Sequence, residues 1–169
     1  MRGRECMSQS FLTADLYDSF GDSCSSCDIQ FRQYGGRRVF SGRIRTVKCM
    51  DDNALLRRTL DTGSDGEVLI VDGSGFLGSA LMGDMIAGLG AKNGWSGVVM
   101  LAAIRDARAL AELDFGVKAL GTNPKKSSKN GTGAVDIPVS FGGVTFIPGH
   151  WIYSDDDGIL VSAKNLTKS

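Results

Sequence analysis

Three apolar runs in the middle of the chain set the expected fold. EVLIVDG (67–73), GVVMLAAI (97–104) and FGVKAL (115–120) are short and almost continuously apolar, as in strands buried on both faces. Helical patterns separate them, so the order from 67 to 120 is strand, helix, strand, helix, strand. This order predicts parallel pairing with right-handed crossovers.

The helix between the first two runs shows apolar residues at i, i+3, i+4 and i+7, which predicts that these side chains, methionines included, lie in the core. They are Met82, Met85, Ile86 and Leu89. The second helix is the short stretch RDARALAEL, which follows GVVMLAAI at once.

The flanking sequence predicts further elements. FLTADLYDSF (11–20) reads as a helix capped by Thr13, and RRVFSGRIRTVKC (37–49) as a strand or strand pair. Asp51 or Asp52 is expected to cap the helix NALLRRTL. The remainder after residue 134 alternates short strand patterns with glycine and proline turns, and its acidic run Asp155, Asp156, Asp157 and Gly158 predicts a turn between two strands.

Residues 121–134, GTNPKKSSKNGTGA, predict a mobile exposed loop. Its lysines could form a basic patch, although a solvated loop is the favoured interpretation. The whole pattern indicates an α/β fold, with a parallel βαβ core flanked by extra β-strands. We expect a single domain over residues 1–169, of which 1–10 are flexible.

Charge and hydropathy narrow the function classes. Lys plus Arg and Asp plus Glu both number 19, so the chain lacks the basic surplus of a nucleic-acid binder, and we expect no direct nucleic-acid contact. No apolar run approaches the roughly 20 residues that cross a bilayer. The basic N-terminus, MRGRECMSQS, lacks the apolar stretch of a signal peptide. We therefore expect a cytoplasmic protein without membrane contact.

Three other motifs suggest a binding or catalytic site, but each has a simpler interpretation. Gly73, Gly75 and Gly78 spell G-x-G-x-x-G after a strand, but the acid expected roughly 20 residues later is missing, which argues against dinucleotide binding. Cys24 and Cys27 have no second C-x-x-C, so reduced, partly buried thiols are favoured over a redox pair or zinc site. The sole histidine, His150, is interpreted as structural or surface-exposed.

Two segments at the carboxyl ends of neighbouring strands form the preferred candidate site. Gly83, Asp84, Met85 and Ile86 begin a helix whose free N–H groups can hold a carboxylate. Arg105 can donate paired hydrogen bonds to a keto or carboxylate oxygen, and Asp106 is a hard ligand for Mg²⁺ or Mn²⁺. Asp84 could hold the water shell of that ion. The competing interpretation is that Arg105 and Asp106 only cap the helix and pair with other charges.

The sequence resembles a known family over about residues 11–162. The segments that carry the resemblance are GGRRVFSGRIRTVKC, DDNALLRRTL, VLIVDGSG, LMGDMIAGLGAKNGWSGVVMLAAIRD, LDFGVKALG and FGGVTFIPGHWIYSDDDGILVS. They are similar to the family of regulator of ribonuclease activity A. That family also contains the 4-hydroxy-4-methyl-2-oxoglutarate and 4-carboxy-4-hydroxy-2-oxoadipate aldolases. The resemblance implies a swivelling β/β/α fold and a homotrimer with sites at the subunit interfaces.

In the aldolase branch, the resemblance gives roles to the residues singled out above. It implies that Gly83 to Ile86 bind pyruvate through backbone amides, that Arg105 binds the substrate and that Asp106 binds the divalent metal. The implied reaction is class II aldol cleavage of a 2-oxo acid, with oxaloacetate decarboxylation as a side activity.

The regulator branch implies a different function, a non-catalytic trimer that inhibits an RNA-degrading endonuclease. Asp106 favours the enzyme, because prototype regulators tend to lose this residue. Ala109 favours the regulator, because the aldolase signature has an acid three residues after the aspartate. The enzyme is the preferred hypothesis.

Overall fold

The computed structural model describes residues 10–167, and the expectations for most of residues 1–10 lie outside this range. The helices are α1 (Thr13–Phe20), α2 (Ala54–Leu60), α3 (Asp84–Lys92) and α4 (Ala107–Leu110), with a 3₁₀ turn at Gly21–Ser23. The strands are β1 (Ser25–Cys27), β2 (Arg32–Gln33), β3 (Phe40–Lys48), β4 (Val68–Asp72), β5 (Ala80–Met82), β6 (Gly97–Ile104), β7 (Gly116–Thr122), β8 (Ala134–Val135), β9 (Val139–Phe141), β10 (Val144–Phe146), β11 (Trp151–Ser154) and β12 (Ile159–Ser162).

A large mixed sheet dominates the described part of the chain. Its strand order is β1-β12-β11-β3-β4-β6-β7-β2, with β5 beside β6 and β8 beside β3, while β9 and β10 form a separate hairpin. Strands β3, β4, β6 and β7 are parallel neighbours. The predicted α/β fold with a parallel core and flanking strands is therefore confirmed. The core also includes β3 as a fourth parallel strand.

The parallel strands are buried on both faces. Successive side chains of a strand point to opposite sides of the sheet, and each side is covered by an apolar cluster. In β4, Leu69 and Val71 belong to the apolar cluster beneath the helices, whereas Val68 and Ile70 belong to the cluster beneath β9 and β10. This arrangement explains why β4 reads as a continuous apolar run in the sequence. Among residues 10–167, no helix is both long and apolar enough to span a bilayer.

Two details of the helices differ from the sequence prediction. Thr13 is not a side-chain cap of α1. Its N–H and hydroxyl donate to the buried carboxylate of Asp155, over 2.7 and 2.6 Å, and so tie the helix start to the turn after β11. Met85 is not a core residue, since it is 79% exposed, whereas Met82 is buried in β5. The helical spacing placed both methionines on one helix, but α3 begins only at Asp84.

Lys118 is a buried cation within β7, with only 3% of its surface exposed. Its Nζ donates to the carbonyl oxygens of Asp155 at 2.6 Å and of Gly158 at 3.1 Å, and so closes the predicted turn between β11 and β12. Burial lowers the pKa of Lys118 to about 8, although the nearby Asp155 and Asp156 carboxylates partly oppose this shift.

This buried amine predicts a specific dependence of stability on pH. The ordinary lysine pKa is 10.5, so between about 8 and 10.5 the unfolded chain binds more protons at this position than the folded protein. The free energy of unfolding contributed by Lys118 therefore rises with pH in this window. From about pH 7 to about pH 10, we expect wild type to gain roughly 2 kcal/mol relative to Lys118→Met in urea unfolding.

The exposed Lys92 provides the control, because Lys92→Met removes a lysine without touching the turn at residues 155–158. Its difference from wild type should stay constant over the same pH range. A constant difference for Lys118→Met as well would contradict a buried amine with a lowered pKa.

Candidate functional site

A cavity of about 240 Å³ opens at the carboxyl ends of β5 and β6, the edge where ligands gather in open α/β sheets. Four segments line it: the start of α2, the junction between β5 and α3, the junction between β6 and α4, and the loop after β7. All six residues of the preferred candidate site line this cavity. They are Gly83, Asp84, Met85, Ile86, Arg105 and Asp106.

Asp106 occupies an unusual backbone position. It has left-handed dihedral angles, φ 61° and ψ 40°, immediately before α4. Its Oδ2 accepts the N–H of Asp84 at 3.1 Å, so the carboxylate lies at the start of α3. Asp106 makes no side-chain cap bond at α4, the helix that it precedes, so the capping contact that it does make is to α3. It uses one carboxylate oxygen, and within residues 10–167 no hydrogen bond occupies Oδ1.

Gly83 makes room for this carboxylate. A Cβ atom at position 83 would lie 2.3 Å from Asp106 Oδ2 and 3.3 Å from Arg105 Cγ. The backbone of Gly83 is extended, with φ −125°, and does not itself require glycine. A larger residue here would instead force the Asp106 carboxylate to move. The group that lies next to Gly83 in the structure is therefore the Asp106 side chain.

The first turn of α3 presents backbone donors to the cavity. The N–H of Ala87 is the first to bond within the helix, to the carbonyl of Gly83, so the amides of Met85 and Ile86 have no acceptor in the helix. The N–H of Asp84 is already taken by Asp106. Of the amides predicted to hold a carboxylate, those of Met85 and Ile86 are therefore the ones left for a ligand.

Arg105 is held between two elements of the site. Its backbone N–H donates to the carbonyl of Met82 at 2.9 Å, and Nη1 makes a long contact of 3.4 Å to the carbonyl of Pro124. The guanidinium is thus directed towards the loop after β7 while its other donors remain available. This arrangement allows the paired hydrogen bonds to an oxygen ligand for which arginine is suited.

Three further cations line the cavity, and none of them was predicted as a site residue. They are Arg57 from α2, and Lys126 and Lys129 from the loop after β7. The lysines belong to the segment for which a solvated loop was preferred over a basic patch. Lysine clustering was the available signal, but sequence alone does not show that this loop returns to β5, where the N–H of Ala80 bonds to the carbonyl of Lys125. Arg57 gave no signal beyond its position on a short helix.

The loop that carries these lysines is exposed along most of its length, but it is also anchored. Asp52, which is 2% exposed, accepts the backbone N–H groups of Asn130 at 2.7 Å and Gly131 at 3.1 Å. The same carboxylate accepts the N–H of Ala54 at 3.1 Å, at the start of α2. The expectation that Asp51 or Asp52 binds this helix start thus holds for Asp52, although Asn53 occupies the N-cap position.

The charge state of Asp52 follows from these bonds. Burial opposes ionisation, but the backbone N–H groups of Ala54, Gly131, Asn130 and Thr132 outweigh it and hold the pKa of this carboxyl below its ordinary value. Asp52 is therefore a carboxylate at neutral pH, and its full negative charge fixes the loop to the start of α2.

The donor set of the cavity fits a hard divalent ion better than a soft one. Asp106 offers an oxygen at Oδ1, and Asp84 brings a second carboxylate to the same cavity. No three His, Cys, Asp or Glu residues cluster as metal ligands within residues 10–167, so an ion here would rest on one or two carboxylates. Mg²⁺ and Mn²⁺ are bound in this way, with water and substrate completing the shell.

The other motifs lie elsewhere. The segment Gly73–Gly78 leads into β5 and not into a helix, so it lacks the helix start that a dinucleotide fingerprint requires. Cys24 and Cys27 are free and partly buried, as expected, and burial raises the pKa of both thiols. His150 is outside the lining of the cavity, and its backbone N–H bonds to the carbonyl of Ile147.

Comparison with known proteins identifies relatives over nearly the whole chain. The model of the RraA-like family, described as Aldolase/RraA, matches residues 13–161. The chain is 44% identical to an S-adenosylmethionine:2-dimethylmenaquinone methyltransferase from Geobacillus kaustophilus, whose crystal structure superposes with a TM-score of 0.92 over 94% of this chain and 99% of that one.

Two further structures belong to named RraA proteins. The RNA-processing inhibitor RraA from Thermus thermophilis is 40% identical, with a TM-score of 0.89 over 92% of this chain and 94% of that one. Streptomyces coelicolor RraAS2, a member of the RNase ES inhibitor family, is 27% identical, with a TM-score of 0.73 over 89% and 79%. Taken with the fold and the family match, these similarities show that the chain belongs to the RraA-like aldolase/RraA family.

Proposed function

We propose that this protein is a divalent-metal-dependent pyruvate aldolase that cleaves 2-oxo acids of the 4-hydroxy-4-methyl-2-oxoglutarate type. The observation that supports this proposal is the convergence of Arg105, Asp106 and the first turn of α3 on one cavity. A guanidinium, a carboxylate with one open oxygen and free helix amides are the groups that a 2-oxo acid and a hard cation require.

Each group has a distinct role in the proposed reaction. The amides of Met85 and Ile86 bind the carboxylate next to the keto group, where the positive end of the helix dipole favours an anion. Arg105 donates to the keto oxygen and balances the negative charge that develops there as the bond between C3 and C4 breaks. Loss of the C4 hydroxyl proton completes the release of the carbonyl product, and protonation of C3 then gives pyruvate.

Asp106 would hold Mg²⁺ or Mn²⁺ through Oδ1, and we assign Asp84 to the water molecules around the ion. The ion would supply Lewis-acid polarisation of the keto oxygen. Cleavage of the bond between C3 and C4 would leave the enolate of pyruvate. Oxaloacetate would give the same enolate when it loses carbon dioxide, and decarboxylation is therefore the expected side activity. We also expect a homotrimer, as the family resemblance implies.

A second candidate function is that of a non-catalytic trimer that binds and inhibits an RNA-degrading endonuclease. The similarity to the RNA-processing inhibitor RraA of Thermus thermophilis favours this candidate. The two functions differ in a simple assay of the purified chain. Pyruvate release that requires added Mg²⁺ and stops with EDTA supports the aldolase. If neither 4-hydroxy-4-methyl-2-oxoglutarate nor oxaloacetate gives pyruvate, and the chain inhibits endonuclease cleavage, the regulator is supported.

The Geobacillus relative suggests methyl transfer as a third activity, but the fold does not favour it. The glycine-rich segment before β5 provides no helix start for the donor's nucleoside.

The first prediction for the site concerns Arg105 and Asp106. We expect Asp106→Ala to abolish metal-dependent pyruvate release and Arg105→Ala to lower kcat/KM roughly a hundredfold or more. Arg105→Ala should raise KM and lower kcat together, because the guanidinium acts on both the ground state and the transition state. Release from 4-hydroxy-4-methyl-2-oxoglutarate and from oxaloacetate measures both effects.

Matched controls are available next to the site. Arg108→Ala removes an exposed positive charge and is the control for Arg105→Ala. Glu112→Ala removes an exposed negative charge and is the control for Asp106→Ala. Both residues lie in or next to α4 and outside the cavity lining, so both variants should retain activity. Unchanged turnover in Asp106→Ala would remove this residue from the reaction. A loss of thermal stability alone in Arg105→Ala would favour the interpretation that the residue only supports the fold.

A second prediction tests the space at Gly83. Gly83→Ala places a methyl group where Asp106 Oδ2 lies, so the carboxylate must move, and we expect Mn²⁺ affinity to fall roughly tenfold or more. Electron paramagnetic resonance of bound and free Mn²⁺ measures this affinity directly, without reference to activity.

Gly88 is the control for this experiment, because it lies in the same helix and a Cβ there would meet no described atom within 4 Å. Gly88→Ala should keep the Mn²⁺ affinity of wild type and raise stability by about 1 kcal/mol, since glycine is a poor residue for a helix interior. Equal Mn²⁺ affinity in Gly83→Ala and Gly88→Ala would show that the ion does not depend on Asp106 in this position.

A further inference from the structure

The chain contains two Asn-Gly pairs, Asn93–Gly94 and Asn130–Gly131. An asparagine that precedes glycine is prone to deamidation, because glycine has no Cβ to hinder its own nitrogen from attacking the preceding side chain. The product, aspartate or isoaspartate, carries a negative charge where the asparagine was neutral. The surroundings of each pair decide whether it reacts.

The two pairs differ in what holds the asparagine side chain. Asn93 is the C-cap of α3, where its Nδ2 donates to the carbonyl of Leu60 at 3.0 Å and its N–H to the carbonyl of Leu89 at 3.0 Å. The Asn130 side chain is exposed, and no residue between 10 and 167 forms a hydrogen bond with it. A Cβ at Gly131 would meet no described atom within 4 Å. The side chain that is free to react is therefore that of Asn130.

The backbone nitrogen that would attack Asn130 is not free. The N–H of Gly131 donates to Asp52 Oδ1 at 3.1 Å, and the N–H of Asn130 donates to Oδ2 of the same carboxylate at 2.7 Å. Together these bonds restrain the backbone between the two nitrogens, on which the approach of the Gly131 nitrogen to Asn130 Cγ depends. Attack also requires the nitrogen to lose its proton. A buried, ionised carboxylate that accepts this N–H stabilises the protonated nitrogen and so opposes the reaction.

We propose that Asn130–Gly131 is a deamidation site which Asp52 keeps unreactive, and that its conversion frees residues 129–132 from the start of α2. In the reaction, the Gly131 nitrogen loses its proton and bonds to Asn130 Cγ, ammonia leaves, and a succinimide ring forms. Water then opens the ring on either side and gives aspartate or isoaspartate at position 130. The net change is hydrolysis of one side-chain amide to a carboxylate and ammonium. This inference is independent of the proposed function.

The product does not fit the contact that protected the asparagine. Its new carboxylate belongs to the residue whose N–H donates to Asp52, so two negative charges meet beside a buried group. In isoaspartate the main chain also gains a methylene group, which changes the spacing of the two N–H groups that Asp52 accepts. Deamidation thus makes a transient opening of this segment permanent. Because Lys129 lines the cavity and immediately precedes the pair, the change reaches the cavity lining.

The first measurement follows deamidation at both pairs in wild type and in Asp52→Asn, in mildly alkaline buffer, by peptide mapping with mass spectrometry. Cleavage after Glu67 and Glu112 places the two pairs in different peptides. In Asp52→Asn we expect deamidation at Asn130 to accelerate roughly tenfold or more, the factor that one charge-assisted hydrogen bond provides. The rate at Asn93 should stay that of wild type.

Two controls accompany this measurement. Asn93 is the internal control, because a variant that simply unfolds accelerates both pairs. Asp51→Asn removes the neighbouring carboxylate, which bonds to Ser79 and not to the pair, and should leave Asn130 protected. The proposal is wrong if Asn130 reacts as fast in folded wild type as in wild type unfolded in urea. It is also wrong if a folded Asp52→Asn leaves Asn130 protected or accelerates both pairs equally.

The second measurement tests the release of the segment and does not use the Asp52 variant. Asn130→Asp supplies the charge of the product, Asn130→Gln keeps a neutral amide, and Asn93→Asp adds the same charge at the other pair. In Asn130→Asp we expect the amides of residues 130 and 131 to exchange with deuterium roughly tenfold or more faster, since they lose the bonds to the carboxylate. The amide of Ser128, which bonds to the carbonyl of Asp51, should keep its protection.

Asn130→Gln and Asn93→Asp should exchange like wild type at residues 130 and 131. Unchanged exchange there in Asn130→Asp would overturn the release of the segment. An equal increase in Asn93→Asp would also overturn it, because the added charge would then act through the whole protein and not through Asp52.

Discussion

A strand that is buried on both faces has little place for a charged side chain, and this constraint arranges the polar chemistry of the fold. In β6, seven of the eight residues are buried and all are apolar. The charges that belong to this region therefore follow the strand, as Arg105 and Asp106. Because β5 runs parallel to β6, its carboxyl end opens at the same edge of the sheet, and α3 begins beside the two charged residues. The position of the candidate site follows from the burial of the strands.

The buried charges that do occur in the fold are satisfied by backbone groups. Asp52 accepts amides of the loop after β7, Asp155 accepts the first amide of α1, and Lys118 donates to two carbonyls of the turn at residues 155–158. Removing an ion from water is costly, and backbone dipoles offset that cost only in one geometry. Each of these residues therefore fixes an irregular segment at one place. For Asp52, the fixed segment is the one that carries two cations to the cavity.

The sequence predicted the parallel core well, because continuous apolar runs and their spacing are strong local signals. It also brought together Gly83–Ile86, Arg105 and Asp106, since the carboxyl ends of neighbouring parallel strands must share an edge. It was wrong about Met85, because helical spacing does not show where a strand gives way to a helix, and β5 occupies the positions just before α3.

What the sequence did not predict depends on contacts between distant residues. Asp52 and Asn130 are 78 positions apart, and the contacts that anchor the loop after β7 within residues 10–167 join residues that are far apart in sequence. Composition alone therefore made residues 121–134 look like a free polar loop. Thr13 was similarly assigned to its own helix, although its partner Asp155 lies 142 positions away. The residue types alone indicated that these side chains form hydrogen bonds, but they did not indicate which distant residues are the partners.

The capping contact of Asp106 supports a role for this residue beyond the fold. A helix start is ordinarily capped by the residue just before it, and Ser, Asp or Asn at position 83 could serve that purpose if the Asp106 carboxylate lay elsewhere. The chain instead has glycine at position 83 and brings a carboxylate from 22 residues further along, on a backbone in the left-handed region. Aspartate tolerates this conformation better than most residues, and Asp51, Ser74 and Asp136 also adopt it, so the close approach to Gly83 is the more informative feature. The arrangement gives the start of α3 a carboxylate with one oxygen bound and one open. The open oxygen is the atom to which the proposed function assigns a hard cation.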